Sequence, residues 1–179
     1  MKATGIVRRI DDLGRVVIPK EIRRTMRIRE GDPLEIFTDR EGELIFKKYS
    51  PIGELGEYAA QICDSMRKAT DKIISVCDRD TVIAVAGGGK KELLDKPVSD
   101  ELSEIMSERS IYRYAGGSSL PVSSADDRFH IRVAAPVISE GDVLGCVLFV
   151  GEKDAPLPGE IEYKLAQVAS GFLGRQMDS

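Results

Sequence analysis

The stretch that decides the fold of this chain is Thr4–Pro19, which reads TGIVRRIDDLGRVVIP. Two runs rich in β-branched residues, Gly5–Ile10 and Arg15–Ile18, flank the segment Asp11–Gly14, in which two Asp and one Gly favour a turn. Pro19 fits the first turn of a helix, which we expect to continue to Met26. The stretch therefore predicts two short strands, a tight turn between them and a helix.

The same end of the chain is basic, whereas the rest is acidic. Residues 1–29 contain nine Lys or Arg and three Asp or Glu, a net charge of +6, while the whole chain carries −4. Residues 30–179 therefore carry −10. Such an asymmetry points to a polyanionic partner for the basic end, and nucleic acid is the commonest one.

The basic region is too small to form a core by itself. A second strand pair is predicted at Leu34–Thr38 and Glu43–Lys47, and the Pro and Gly residues of Ser50–Gly53 are typical of a domain boundary. A unit of about fifty residues with one short helix buries too little apolar surface to be stable alone. We therefore predict that two copies interlock as an obligate dimer and share one core. The side chains that need burial are Ile6, Val7, Ile10, Val16, Val17, Ile18, Ile22, Met26, Leu34, Ile36, Leu44 and Phe46.

The remaining residues predict an α+β domain with a central antiparallel sheet flanked by helices. Apolar residues recur at helical spacing over 53–70 and 160–175, and Ser99 is a helix N-cap residue. Ile131–Ser139 and Asp142–Gly151 are expected to pair as a hairpin. Further strands are expected at 73–76, 81–85 and 110–114, with a helix over 99–108 and a loop over 115–128.

Composition excludes several classes of protein. Apolar residues make up 42% and charged residues 31% of the chain, which is ordinary for a globular protein. The longest nearly apolar run, Val143–Val150, is too short to cross a bilayer, and residues 1–20 lack a secretory pattern. The three cysteines are scattered without metal-binding spacing, so we expect reduced, buried thiols. We therefore predict a cytoplasmic protein with no membrane partner.

The first fifty residues carry a family resemblance. The series Thr4–Pro19, continued by Glu21–Arg24, Leu34–Phe37 and Phe46–Tyr49, resembles the DNA-binding domain of the AbrB transition-state regulators. The resemblance covers residues 1 to about 50. It implies a swapped-hairpin β-barrel formed by an intertwined dimer, in agreement with the dimer inferred from core size.

The resemblance also implies which side chains face double-stranded DNA. Arginine suits this role because it is always charged and forms bidentate hydrogen bonds with phosphates or guanine edges. No recognition helix is evident, so we expect phosphate anchoring with readout of DNA shape and a loose sequence preference. The alternative is that these arginines are solvated or paired with Asp11, Asp12 and Glu21. The expected contacts are Arg8, Arg15, Arg23 and Arg24, with Lys2 and Arg9 as secondary contacts.

Beyond Gly53, the order of elements is similar to that of a GAF domain. We therefore divide the chain into a DNA-binding domain (1–50), a hinge (51–55) and a GAF-like domain (56–179). GAF domains often dimerise through bundled helices, so helices 53–70 and 160–175 would complete a homotetramer. A small-molecule pocket beneath the 115–128 loop and a loop without a ligand remain equally open, and no pocket residue is assigned.

The two-domain layout resembles a family of sporulation transcription regulators of endospore-forming bacteria. That resemblance implies a regulator that activates some genes and represses others in the developing forespore. It implies no catalytic residue, metal or cofactor.

Four other interpretations are weaker. The Gly87–Lys91 segment lacks the first Gly and the final Ser or Thr of a phosphate loop, which favours a tight turn. His130 is the single histidine and is expected to be structural. Some GAF proteins reduce free methionine sulfoxide with cysteines, but Cys63 and Cys146 fall on apolar faces. An antitoxin is the remaining rival, because antitoxins share the swapped-hairpin fold, although they usually carry a disordered tail.

Overall fold

The computed structural model describes residues 5–49 and 56–177, apart from the side chain of Glu57. The chain divides into two compact units, Met1–Tyr49 and Ser50–Ser179. Lys2 and the predicted hinge at 51–55 lie outside the described residues.

The N-terminal unit contains one short helix and one strand pair. Helix α1 is Lys20–Thr25, directly after Pro19, and strands β1 (Leu34–Thr38) and β2 (Leu44–Lys48) pair antiparallel. Ile36 lies opposite Phe46 in this ladder. These elements confirm the predicted helix and second strand pair, with β2 beginning one residue later than expected.

The first predicted strand pair is not formed within a single copy. Residues 5–10 and 15–18 are not assigned to strands, and the turn between them is closed by hydrogen bonds from Asp11 N to Arg15 O (3.0 Å) and from Gly14 N to Asp11 O (3.0 Å). The predicted turn is therefore confirmed, whereas the two predicted strands are not assigned within one copy. A strand needs a neighbour to satisfy its backbone groups, and the pattern of residues does not say from which chain that neighbour comes.

The C-terminal unit is built on one antiparallel sheet. Its strand order is β4-β3-β8-β7-β5, and β6 also pairs with β7. The hairpin predicted across Glu140 and Gly141 is confirmed as the long β7–β8 pair. The elements are α2 (Gly56–Thr70), β3 (Ile73–Asp78), β4 (Val82–Ala86), α3 (Lys90–Leu93), α4 (Asp100–Glu108), β5 (Tyr112–Arg113), β6 (Pro121–Ser123), β7 (Asp126–Ser139), β8 (Asp142–Glu152) and α5 (Glu160–Gln176).

Each face of this sheet is covered by its own hydrophobic core. Helices α2 and α5 pack on one face, where Val133, Val147 and Leu173 are buried. Helix α4 and strand β6 contribute to the core on the other face, with Leu102 and Leu148 fully buried. The alternation of side chains along β7 and β8 explains how two strands contribute to both cores.

Local sequence signals place several of these elements correctly. The Ser99 hydroxyl accepts a hydrogen bond from Leu102 N (3.0 Å), which confirms the predicted N-cap of α4. The triple-glycine segment forms a turn, as predicted. Gly87 adopts a φ of +99°, and a Cβ there would lie 2.5 Å from the Lys72 carbonyl oxygen.

The predicted 115–128 loop is too long. Residues 121–123 form β6 and β7 already begins at Asp126, so the hairpin between them occupies half of that segment. Its polar side chains mislead because they stabilise the strands: the Ser123 hydroxyl donates to Pro97 O (2.6 Å), and Asp126 accepts from Arg128 N (2.8 Å). A sequence pattern assigns a polar residue such as Ser123 to a loop, because its partner, Pro97, is distant in the sequence.

None of the helices within the described residues combines the length and hydrophobicity that crossing a bilayer requires.

Candidate nucleic-acid interface

The tight turn of the N-terminal unit orients Arg15. The Asp11 carboxylate accepts hydrogen bonds from Leu13 N (3.0 Å), Arg15 N (2.8 Å) and Arg15 Nε (2.9 Å). The bonds from Arg15 N–H and its guanidinium, with that from Leu13, lower the pKa of Asp11. An ion pair between two exposed side chains is weak, so Arg15 keeps the freedom to turn toward a phosphate.

Two of the other expected contacts lie side by side on α1. Arg23 and Arg24 occupy the last turn of the helix, where cations are favoured by the helix dipole. Arg24 is exposed, whereas Arg23 is half-buried and its Nε atom is buried without a hydrogen-bond partner among the described residues. An unsatisfied guanidinium nitrogen is costly, which favours a partner outside the single copy.

Arg8 and Arg9 lie on the segment that precedes the turn. Both side chains are exposed. Within residues 5–49 and 56–177, no acidic side chain forms an ion pair with Arg8, Arg9, Arg23 or Arg24. The alternative of internal pairing therefore holds for Arg15 alone.

The N-terminal unit exposes its apolar side chains. Its one buried residue among those described is Pro19. Val7 is 89% exposed and Val17 is 71% exposed, values expected for a polar surface residue rather than for valine. A contiguous set of this kind marks an interaction surface. The exposed set is Ile6, Val7, Ile10, Leu13, Val16, Val17, Met26, Ile36, Phe37, Leu44, Phe46 and Tyr49.

The C-terminal unit exposes an apolar stripe on α5. Ile161, Val168 and Phe172 follow one another at steps that place them along one side of the helix, and Val168 is 69% exposed. Tyr58 on α2 is also half-exposed. Of the predicted repeat Ile161, Leu165, Val168 and Phe172, three side chains are exposed, whereas Leu165 is partly buried against the core of its own unit.

A serine, a histidine and an aspartate meet in the C-terminal unit, a set that the sequence did not reveal. Ser119 Oγ lies 3.0 Å from His130 Nδ1, and His130 Nε2 lies 2.9 Å from the Asp127 carbonyl oxygen. The His130 side chain is only 1% exposed, so a substrate cannot reach its ring. The contacts tie the segment before β6 to β7, in agreement with the structural role expected for His130.

The cysteines are buried free thiols, as predicted. Burial raises the pKa of Cys63 to about 12 and raises the pKa of Cys77 and Cys146 well above the usual range for a thiol. A thiol that stays protonated at neutral pH is a poor nucleophile and a poor metal ligand. Among the described residues, no group of three His, Cys, Asp or Glu side chains could hold a metal ion.

Alkylation tests whether the three thiols are buried and protonated in the native protein. Native protein treated with iodoacetamide at about pH 8 is expected to stay unlabelled over hours, because a thiol must be exposed and ionised to react. All three thiols should react after denaturation. Rapid labelling of one thiol in the native protein would show that the site is accessible and would revive a cysteine-based activity.

The sequence did not predict the roles that Asp11 and Arg132 have in the structure. Asp11 was considered a competing partner of the arginines, but it also orients Arg15; its position four residues before Arg15, across a turn, was the available signal. Arg132 lies inside the core strand β7, and a charged residue within an apolar run was the signal there.

Comparisons with known proteins match each unit to a family model. Residues 54–178 match the family model described as stage V sporulation protein T C-terminal, transcription factor. Residues 7–54 match the model described as antidote-toxin recognition MazE, bacterial antitoxin. The chain is 50% identical over 179 residues to stage V sporulation protein T of Bacillus subtilis, covering 99% of both chains.

Two solved structures are similar to parts of this chain. The N-terminal DNA recognition domain of the Bacillus subtilis transition-state regulator AbrB is 63% identical, over 27% of this chain and 91% of that one, with a TM-score of 0.24. A type II free methionine-R-sulfoxide reductase from Thermoplasma acidophilum is 13% identical, over 70% of this chain and 94% of that one, with a TM-score of 0.54. The second likeness is one of fold alone.

Proposed function

Because the chain belongs to the stage V sporulation protein T family of transcription factors, we propose that it grips double-stranded DNA through Arg8, Arg15, Arg23 and Arg24 of an intertwined N-terminal dimer. The family is one of transcription factors and not of enzymes. Lys2, which is outside the described residues, and Arg9 would add secondary contacts.

The exposed apolar side chains of the N-terminal unit support the dimer. Exposure of Val7 to water, at 89% in one copy, is unfavourable. A second copy that covers this side chain would stabilise the assembly by about 25 cal/mol per Å² of apolar surface buried. Segments 5–10 and 15–18 have strand-like composition but are not assigned to strands within one copy, and strands of a second copy would pair with them. Both features favour interlocked chains over two closed units that merely touch.

The four arginines are suited to contacting the phosphates of the DNA backbone. A two-fold axis presents each of the four side chains twice on one surface. Arg15 is held by Asp11 in a defined starting position, and Arg23 and Arg24 project from one helical turn. Phosphate contacts fix the register, while sequence-dependent flexibility of the duplex supplies a loose preference for some sites.

The observation that carries this proposal is the 63% identity to a DNA recognition domain, joined to Arg8, Arg23 and Arg24, which form no ion pair with an acidic side chain among the described residues. Fluorescence anisotropy with labelled duplex DNA tests it. Binding should saturate in dilute buffer and weaken steeply with added salt. If the intact protein ignored duplex DNA at low salt, the proposal would be abandoned.

We infer a tetramer from the second apolar surface. The α5 stripe of Ile161, Val168 and Phe172 would pack against the same stripe of another copy, with α2 alongside, as a four-helix contact. Two different dimer contacts in each chain link four chains.

Val168→Asp tests the four-helix contact. The variant is expected to sediment as a dimer, because a carboxylate would be buried against apolar side chains. Val168 is 69% exposed in one copy, so the fold of the unit itself should persist. Ser107→Asp adds the same charge at an exposed position of α4, on the opposite face of the sheet, and is the matched control that should remain tetrameric. A tetrameric Val168→Asp protein would contradict the contact.

Regulation follows from this assembly. We propose that the C-terminal unit senses a small molecule and alters the spacing of the two DNA-binding dimers. The protein would then activate some sporulation genes and repress others in the forespore. Genome-wide footprinting in sporulating cells tests the targets, and identical DNA affinity with and without a bound ligand would contradict the sensing.

A second candidate function is toxin neutralisation. The match of residues 7–54 to an antitoxin family model favours it. The folded C-terminal unit disfavours it, because a toxin is usually wrapped by a disordered tail. Co-purification of a ribonuclease with the protein from its native cell would support this candidate, and its absence would leave DNA binding as the function.

A further inference from the structure

The carboxylate of Asp11 makes two separate kinds of contact in the first turn. Its Oδ1 atom accepts hydrogen bonds from the backbone N–H groups of Leu13 (3.0 Å) and Arg15 (2.8 Å), which close the turn. Its Oδ2 atom accepts a hydrogen bond from Arg15 Nε at 2.9 Å. All of these partners lie within five consecutive residues, so one copy of the chain is enough to form the arrangement.

A second turn of the same pattern shows that the arginine contact is not needed to close the turn. Asp39, in the β1–β2 connection, accepts hydrogen bonds at Oδ1 from Glu41 N (3.0 Å) and Glu43 N (2.8 Å). In both turns a glycine with positive φ stands three residues after the aspartate. The next position holds Arg15 in the first turn and Glu43 in the second. The Oδ1 contacts therefore close the turn, whereas the Oδ2 contact acts on the Arg15 side chain.

This contact leaves the end of the Arg15 guanidinium available to a partner. Nε is bound to Asp11, whereas Nη1 and Nη2 form no hydrogen bond with the described residues. The Arg15 side chain is 69% exposed. Nη1 and Nη2 are a pair of donors that matches two oxygens of a phosphate or the edge of a guanine. Arg15 therefore presents a bidentate pair of donors to solvent while the turn holds its Nε.

Holding the side chain at Nε changes the free energy of binding. Arginine has a long, flexible side chain, and immobilising it at an interface costs conformational entropy. An arginine that its own turn already restricts in part loses less entropy on contact. The opposing effect is repulsion between the Asp11 carboxylate and phosphate. Salt screens this repulsion, with a Debye length of about 8 Å at 0.15 M, so we expect the restriction of Arg15 to dominate at moderate salt.

We propose that Asp11 is a positioning residue for DNA binding, which holds Arg15 so that its Nη1 and Nη2 atoms meet the duplex as a preorganised pair of donors. The proposal rests on the proposed role of Arg15 in DNA binding and adds a residue that acts without touching DNA. Asp11 thus favours binding although it is acidic. Charge alone gives the opposite sign, because removing a carboxylate from a basic surface strengthens binding to a polyanion.

Asp11→Asn in the full-length protein distinguishes the two signs. The asparagine oxygen still accepts from the two backbone N–H groups, whereas its amide nitrogen is a donor and cannot accept from Arg15 Nε. Fluorescence anisotropy with labelled duplex DNA should show binding about tenfold weaker than wild type, because a loss of about threefold in each chain acts twice in a dimer. The dependence of affinity on salt should keep its wild-type slope, since the number of phosphate contacts is unchanged.

Two variants are the matched controls. Asp12→Asn makes the same charge change one residue away, at an exposed side chain that forms no ion pair with the described residues. It should bind duplex DNA as tightly as wild type or slightly more tightly. Asp39→Asn changes the equivalent position of the second turn and should leave the affinity for DNA unaltered.

A double-mutant cycle with Arg15→Ala shows whether Asp11 acts through Arg15. Asp11→Asn should leave the affinity of the Arg15→Ala protein unchanged or slightly higher, because the side chain that Asp11 positions is absent. Weakening by the same factor in both backgrounds would show that Asp11 only maintains the fold, and would overturn the proposal. Equal or tighter binding by Asp11→Asn with Arg15 present would also overturn it. A wild-type protein that binds no duplex would instead overturn the DNA-binding proposal itself.

Discussion

The Val7→Asp variant is expected to lose the folded structure of residues 5–49, although Val7 is 89% exposed in one copy. In an extended segment, successive side chains point to opposite sides, so Val7 faces away from Arg8. If Arg8 faces DNA, Val7 faces the core shared by two chains. A carboxylate buried there without a partner costs about 3–5 kcal/mol in each copy.

A truly solvent-exposed valine would behave differently, because such a substitution changes stability by about 0.5 kcal/mol or less. Hydrogen exchange of the backbone amides in the full-length variant distinguishes the two cases. We expect protection to be lost over 5–49 and kept over 56–177. Val7→Ile, which keeps an apolar β-branched side chain, is the matched control and should retain protection in both regions. Full protection of residues 5–49 in Val7→Asp would contradict the shared core.

The Arg15→Ala variant is expected to bind every duplex more weakly and with a shallower dependence on salt. Each phosphate contact contributes about 0.9 to the slope of the logarithm of affinity against the logarithm of salt concentration. A dimer loses two contacts, so the slope should fall by about 2. Loss of two charge-assisted hydrogen bonds predicts an affinity about a hundredfold lower at moderate salt.

Anisotropy titrations at several salt concentrations measure both quantities. Arg40→Ala removes an exposed arginine from the β1–β2 turn and provides the matched control, for which we expect a nearly unchanged slope. Arg23→Ala should resemble Arg15→Ala. Unchanged slopes in both Arg15→Ala and Arg23→Ala would show that other side chains contact the phosphates.

Features that depend on a few neighbouring residues were predictable from the sequence. Pro19 marked the start of α1, Ser99 marked the N-cap of α4, and the repeat of Ile161, Val168 and Phe172 marked the exposed side of α5. Each signal acts within one or two turns of the chain. The charge of residues 1–29 likewise needed no three-dimensional information to indicate a polyanionic partner.

Features that depend on distant contacts were missed or misplaced. Residues 5–10 and 15–18 have strand-like composition, but a ladder needs a partner whose identity the pattern does not give. The Ser123 hydroxyl finds its acceptor at Pro97, and Ser119 meets His130 across a hairpin. Arg132 is buried because its neighbours on β8 and its carbonyl partners enclose it, which a one-dimensional pattern cannot show.

The mass of the isolated fragment 1–50, measured by sedimentation equilibrium, tests most directly whether two chains build one DNA-binding unit. The exposed apolar side chains of the single copy predict a folded species with twice the mass of one fragment at all concentrations that can be measured. A fragment that is folded at the mass of a single chain would contradict this account.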